Sequence, residues 1–176
     1  AWVRLAELEF GEGHTKAARA AIERAKALNP DNAQGYSLNG FISLAEGRTA
    51  AADQSFTQAI TLDQGMGDAW LGRALVFMKQ DEREAGRRAL QTAAILEPQR
   101  ALFRSYLGKA YSHEHLNELA LRDLARAQEL DPMDPTAWLY SSLVKKEENR
   151  INEAVSDLQR SQILNDNRGL FRSRSL

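Results

Sequence analysis

The chain has 176 residues, 43% of them apolar and 27% charged, with 23 lysines and arginines against 24 aspartates and glutamates and no cysteine. A formal charge of −1 offers no global field for nucleic acid, and the missing cysteines exclude disulfides and thiolate metal sites. No apolar run reaches the roughly 18 residues that a membrane span needs, and nothing in the composition fixes a compartment.

Leucines recur at Leu28, Leu62, Leu96, Leu130 and Leu164, a step of 34 residues without insertion or slip. A fixed period of this size marks a repeat architecture. With each of these leucines set as position 30, the units run 1–32, 33–66, 67–100, 101–134 and 135–168, the first lacking two residues, and 169–176 opens a sixth.

In the first unit Trp2, Ala6, Ala18, Ile22 and Ala25 take positions 4, 8, 20, 24 and 27. Large and small residues at these spacings predict two helices whose apolar stripes face each other, the small ones allowing close approach. Between them, "GEGHTK" from Gly11 has the flavour of a phosphate loop, but the Walker spacing is missing and no strand precedes it. It is expected to be the turn between two helices, with Gly13 at the usual glycine position. "LNP", ending at Pro30, closes the unit.

The second unit repeats the pattern with Tyr36, Gly40, Ala52, Phe56 and Ala59, and the third with Trp70, Ala74, Gly86, Leu90 and Ala93. "GMGDAW" from Gly65 lacks the third glycine of a dinucleotide fingerprint and falls between units, so it reads as a turn. The fourth unit keeps Gly108, Ala120, Leu124 and Ala127 but sets Arg104 at position 4, with Phe103 beside it to fill the vacated space. Its "HEH", His113 to His115, suggests a metal, yet histidines two apart on a helix diverge by about 200° and no third ligand is near in sequence. A solvated turn is the expectation.

The fifth unit opens on "ELDPMDPTAW", Glu129 to Trp138, where two Asp-Pro steps read as one helix stopping and another starting. Ser142, Ala154, Leu158 and Ser161 continue the columns. After Gly169, "GLFRSRSL" copies "ALFRSYLG" from Ala101, which favours an interrupted sixth repeat over an Arg/Ser nucleic-acid tail. Since the chain opens at Ala1 on position 3 of a repeat, a piece of a longer array is expected.

These columns resemble the tetratricopeptide repeat over residues 1–168, whose pattern is Trp-x2-Leu-Gly-x2-Tyr, then Ala-x3-Phe, Ala and Pro. "LGKAY" at Leu107 to Tyr111, Ala52 with Phe56, and the prolines of three units carry the likeness. Asn39, Arg73 and Ser141 depart at the usual Leu, Glu9, Ser43 and Lys145 at the usual Tyr, and Arg104 at the aromatic. The resemblance implies an all-α fold, a right-handed superhelical solenoid of antiparallel helix pairs, acting as a protein-interaction scaffold. In that family the first helix of each pair lines a concave face.

Positions 5, 9 and 12 of the first helices lie about 100° from the core stripe. Val3, Phe10, Phe41, Leu44, Leu71, Leu75 and Met78 make this face apolar in the first three units, broken by Glu7 and Ser37. Ser105, Lys109 and Ser112 make it polar in the fourth, and Leu139, Leu143 and Lys146 follow in the fifth. Two readings stand: a groove for an apolar or amphipathic partner segment, or an enlarged core between neighbouring first helices. The family's carboxylate clamp of lysines and asparagines is not matched, because Lys109 alone is basic at positions 5 and 9. No nucleophile motif surrounds the serines or histidines, so no catalysis or cofactor is expected within these residues. A structural spacer or self-association module of a longer protein is the alternative, and an active site outside these residues stays open.

Overall fold

The computed structural model describes the backbone of residues 1–174 and the side chains of residues 1–166. The described residues form ten α-helices and no strand, in two compact units, Ala1–Leu96 and Glu97–Leu176.

In the first unit, α1 (Trp2–Gly11) packs on α2 (Thr15–Leu28), α3 (Ala33–Ala45) on α4 (Thr49–Leu62), and α5 (Gly67–Lys79) on α6 (Arg83–Leu96). The first helices also touch in sequence, α1 against α3 and α3 against α5. The second unit pairs α7 (Ala101–His113) with α8 (Asn117–Leu130) and α9 (Pro135–Glu147) with α10 (Ile151–Arg174), with α7 against α9.

Two kinds of turn keep the helices in step. Within each pair, position 15 is left-handed: Gly13, Gly47, Asp81, His115 and Asn149 have φ of 85°, 75°, 60°, 59° and 60°. The next residue's N–H then reaches back to the carbonyl of position 11, as in His14 to Glu9 at 2.8 Å and Leu116 to Tyr111 at 3.0 Å. This is the Schellman closure of a helix end. His115 is therefore a turn residue, as the sequence suggested. Between pairs, the side chain at position 31 accepts from the backbone two residues on, in Asp63 to Gly65 at 2.9 Å and Asp131 to Met133 at 3.0 Å. Asp134 then caps α9 by accepting from Thr136 N–H at 3.1 Å, with Pro135 at the first helical position. The doubled Asp-Pro is thus a turn followed by a cap. Trp70 and Trp138 pin such turns by donating from Nε1 to the carbonyls of Gln64 (3.0 Å) and Pro132 (3.2 Å).

The core sits where large meets small. Phe56 is fully buried in the first unit, and a Cβ built on Gly40 would lie 2.5 Å from its ring, with a still closer clash from one on Gly72. Phe41 meets the same ring edge-on, with centroids 5.0 Å apart and planes at 74°. In the second unit Leu124 seats on Gly108 in the same way.

Three of the departures from the family pattern are paired, while the buried Ser43 hydroxyl has no hydrogen-bond partner among the described residues. Asn39 donates to Ser55 Oγ at 2.8 Å, Arg104 to Asp123 at 2.8 Å and Lys145 to Asp157 at 2.7 Å. Ser55, Asp123 and Asp157 all occupy position 23 on the second helix, and each is buried. A buried polar group needs such a partner. Phe103 is fully buried, with the Arg100 guanidinium 4.5 Å above its ring, while Arg104 fills its own place by reaching Asp123.

Helix α10 runs on through residues 165–168, where the other units turn. The division at residue 169 remains a proposal, and the side chains of the copied "LFRS" tail lie outside the described residues.

Candidate partner-binding faces

The exposed side of α1, α3 and α5 is shallow. Phe10 packs against a core of Ala6, Ala18, Ala21, Ile22 and Ile42, while Phe41 and Leu44 pack against Ala52, Phe56 and Val76. Val3, Leu75 and Met78 are half-buried. Leu71, at 4% exposure, lies wholly in the core. The apolar strip of this unit is therefore largely the rim of the core, because each first helix packs along its neighbour and covers what its own partner helix leaves open. A cavity of about 230 Å3 remains at the entrance of α3 and α5, bordered by Glu7, Phe41 and Asp68.

The corresponding side of α7 and α9 is different. Leu139 and Leu143 stay exposed at 38% and 48%, one turn apart on α9 with Lys146 following. Lys109 lies with its ammonium 5.0 Å from the Tyr140 ring centroid, and Tyr106 meets Tyr140 edge-on with centroids 6.0 Å apart. Lys109 is half-buried and Lys146 exposed; neither makes an ion pair among the described residues. Positions 2, 5, 9 and 12 of these two helices hold Leu102, Ser105, Lys109, Ser112, Thr136, Leu139, Leu143 and Lys146, with no carboxylate.

The two tyrosines, at position 6, escaped the sequence reading. Their column also holds Leu38 and Gly72, so no constant residue type marked it. Burial pushes both hydroxyls above the usual tyrosine range, helped for Tyr106 by Tyr140 and opposed by Lys109. The folded state thus favours the neutral phenols. Stability from this source is complete below the ordinary tyrosine pKa of about 10 and falls as pH rises through the folded values. An absorbance titration of tyrosinate should show two groups ionising late in native protein and in the normal range in denaturant; a single normal transition in both would refute the burial.

One ligand-like cluster lies elsewhere. Glu9, Glu12 and His14 bring one ligand atom each within 4.8 Å at the α1–α2 turn, with His14 Nδ1 2.9 Å from Glu9 Oε2 and 3.5 Å from Glu12 Oε2. It is open to solvent, and two carboxylates with an imidazole are chemically able to hold a divalent ion. The sequence reading saw only a turn there, since Glu9 precedes the "GEGHTK" stretch and only the helix end folds it back. His113 and His115 form no such group among the described residues. No helix among the described residues is long and apolar enough to cross a membrane.

Residues 1–32 match a tetratricopeptide repeat family model. The human protein O-mannosyl-transferase TMTC3 is 26% identical over 160 residues, which cover 87% of this chain and 17% of that protein, so the chain spans about a sixth of that relative's length. Among solved structures, TTC0263, a tetratricopeptide protein of Thermus thermophilus, superposes with a TM-score of 0.84 at 16% identity, covering 98% of this chain and 94% of that one. YrrB, described as a tetratricopeptide protein with an unusual peptide-binding site, gives a TM-score of 0.65 at 19% identity, covering 99% and 91%. The sequence of the first helix pair thus matches the tetratricopeptide repeat family, and the fold along the helix pairs is that of solved tetratricopeptide proteins.

Proposed function

We propose that the chain is a protein-interaction scaffold whose α7–α9 face binds an amphipathic segment of a partner, apolar side chains on Leu139 and Leu143 and a carboxylate toward Lys109 or Lys146. The observation that carries this reading is the pair of exposed leucines flanked by two lysines without ion pairs. Exposed apolar surface next to unspent charge fits recognition of a helix or extended peptide better than a solvated wall. Val3, Phe10, Phe41, Leu44, Leu75 and Met78 offer the α1–α3–α5 face as a second, shallower contact. The reading assigns no cofactor and no catalysis to this chain, and it divides the array into five 34-residue repeats with 169–176 as the start of a sixth.

The test is a selection from a displayed peptide library. Binders enriched in acidic and aliphatic residues are expected, with capture abolished by Leu139→Asp plus Leu143→Asp at unchanged helicity. Lys109→Glu should weaken capture less, and in a salt-dependent way. Unaltered capture by the double variant would move the partner site elsewhere. A spacer or self-association module is favoured by a different observation: Leu158 is 39% exposed at position 24, where Ile22, Phe56, Leu90 and Leu124 are fully buried. Selection of no peptide, with mass growing with concentration in light scattering, would decide for that reading.

A further inference from the structure

One joint recurs where a repeat meets the next. The first helix of the following repeat lays position 10 against positions 20 and 24 of the second helix before it: Ile42 packs with Ala18 and Ile22 of α2, and Val76 with Ala52 and Phe56 of α4. Beside that apolar contact, position 21 reaches position 7 of the next helix, Arg19 to Asn39 at 3.4 Å and Asp53 to Arg73 at 3.5 Å. The two halves of this joint stand open at α1 and α10. Leu8, at position 10 of α1, is 55% exposed where Ile42, Val76 and Val144 are buried, and Leu5 at position 7 is exposed on the same side. On α10, Ala154, Val155 and Leu158 hold positions 20, 21 and 24, with Val155 and Leu158 exposed. The places that pair Arg19 with Asn39 and Asp53 with Arg73 thus hold Val155 and Leu5 at the ends. Terminal repeats that face water normally carry a polar outer surface, yet both open halves here are aliphatic.

We propose that α1 of one molecule docks on α10 of a second copy in the register of the internal joints, with Leu8 on Ala154 and Leu158, and Leu5 on Val155. The proposal deepens the self-association reading above and does not depend on the α7–α9 assignment. A second copy is the occupant because one chain carries both halves of the joint, so each open face presents what the other lacks. The change from polar to aliphatic at positions 7 and 21 fits the same occupant. Hydrophobic burial drives most association between separate molecules, whereas a partly exposed ion pair adds little. Since the two surfaces differ, the contact is heterologous: every added copy leaves one α1 face and one α10 face free, and assembly continues beyond two unless a ring closes.

The experiment is sedimentation equilibrium of the full 176-residue chain and of two variants, Leu8→Asp and Leu158→Asp. The weight-average mass of the unaltered chain should rise with concentration past that of a dimer. Each variant alone should stay monomeric, because its carboxylate would be buried against aliphatic side chains, and circular dichroism should show unchanged helicity, since both sites are exposed in the single chain. Val155→Asp takes the place of Leu158→Asp if the latter lowers helicity. Mixed in equal amounts, the two variants should form a dimer and nothing larger: Leu8→Asp keeps an intact α10 face and Leu158→Asp an intact α1 face. A monomeric unaltered chain would overturn the proposal and leave both faces to other segments. Association lost in Leu158→Asp but kept in Leu8→Asp, or a mixture that stays monomeric, would also overturn it, the first by pointing to pairing of α10 with α10. Growth unaffected by either variant would retain the self-association reading and sink this interface. Peptide selection repeated on monomeric Leu8→Asp reads the α7–α9 assignment separately: capture there supports that assignment whatever the mass of the unaltered chain, and no capture refutes it without touching the joint.

Discussion

Replacing Phe56 by alanine should lower stability by about 3–5 kcal/mol, the usual cost of emptying a fully buried aromatic site. Two helical glycines meet the ring, Gly40 from its own pair and Gly72 from the next first helix, and Phe41 packs edge-on against it. Neither glycine sits at a turn; both are helical, so each is there for closeness and not for conformational freedom. Gly72→Ala should therefore be destabilising despite the better helix propensity of alanine, worth about 1 kcal/mol, because its Cβ meets a ring that has nowhere to go. Combined with Phe56→Leu the same change should be tolerated. A double-mutant cycle in urea measures this coupling; additive effects would mean that the ring does not seat on Gly72.

The second large effect separates two leucines that the repeat places in a single face. Leu71→Asp should unfold the first unit or cost several kcal/mol, since the carboxylate would be buried without a partner. Leu143→Asp, on exposed α9, should leave helicity and melting nearly unchanged while removing partner capture. Circular dichroism melts of both variants are sufficient. A mild Leu71→Asp would return that residue to the surface strip, and a collapsed Leu143→Asp would place α9 in a core.

This contrast marks how far the sequence was legible. The columns at positions 8, 20, 24 and 27 foretold the helix pairs, because contacts inside a pair depend only on local spacing, and Ala6, Gly40, Ala74 and Gly108 stand where helices touch. The face at positions 5, 9 and 12 was located too, but not its depth. Leu71 and Leu139 share position 5 and differ in burial, since burial there depends on what the neighbouring first helix lays over the residue. The cavity at Glu7, Ser37 and Asp68 was out of reach for the same reason: three different helices supply it. The departures at Asn39, Arg104 and Lys145 read as independent irregularities, because their partners lie 12 to 19 residues on, at a position the family pattern does not name.

Those partners bear on how such a chain can be rearranged. Position 23 carries serine, aspartate and aspartate in the second, fourth and fifth units, answering asparagine at position 7, arginine at 4 and lysine at 11. A crossover within the short turn at position 15 would join the first helix of one unit to the second helix of another, leaving Arg104 facing Ser55, or Asp157 facing Asn39 and Ser43, with a charge unanswered between the helices. A crossover at positions 31–34 moves both members together. Duplication, deletion or shuffling of this gene is thus viable in steps that break between pairs, and the heritable unit is the whole helical hairpin even though its two helices have interchangeable backbones.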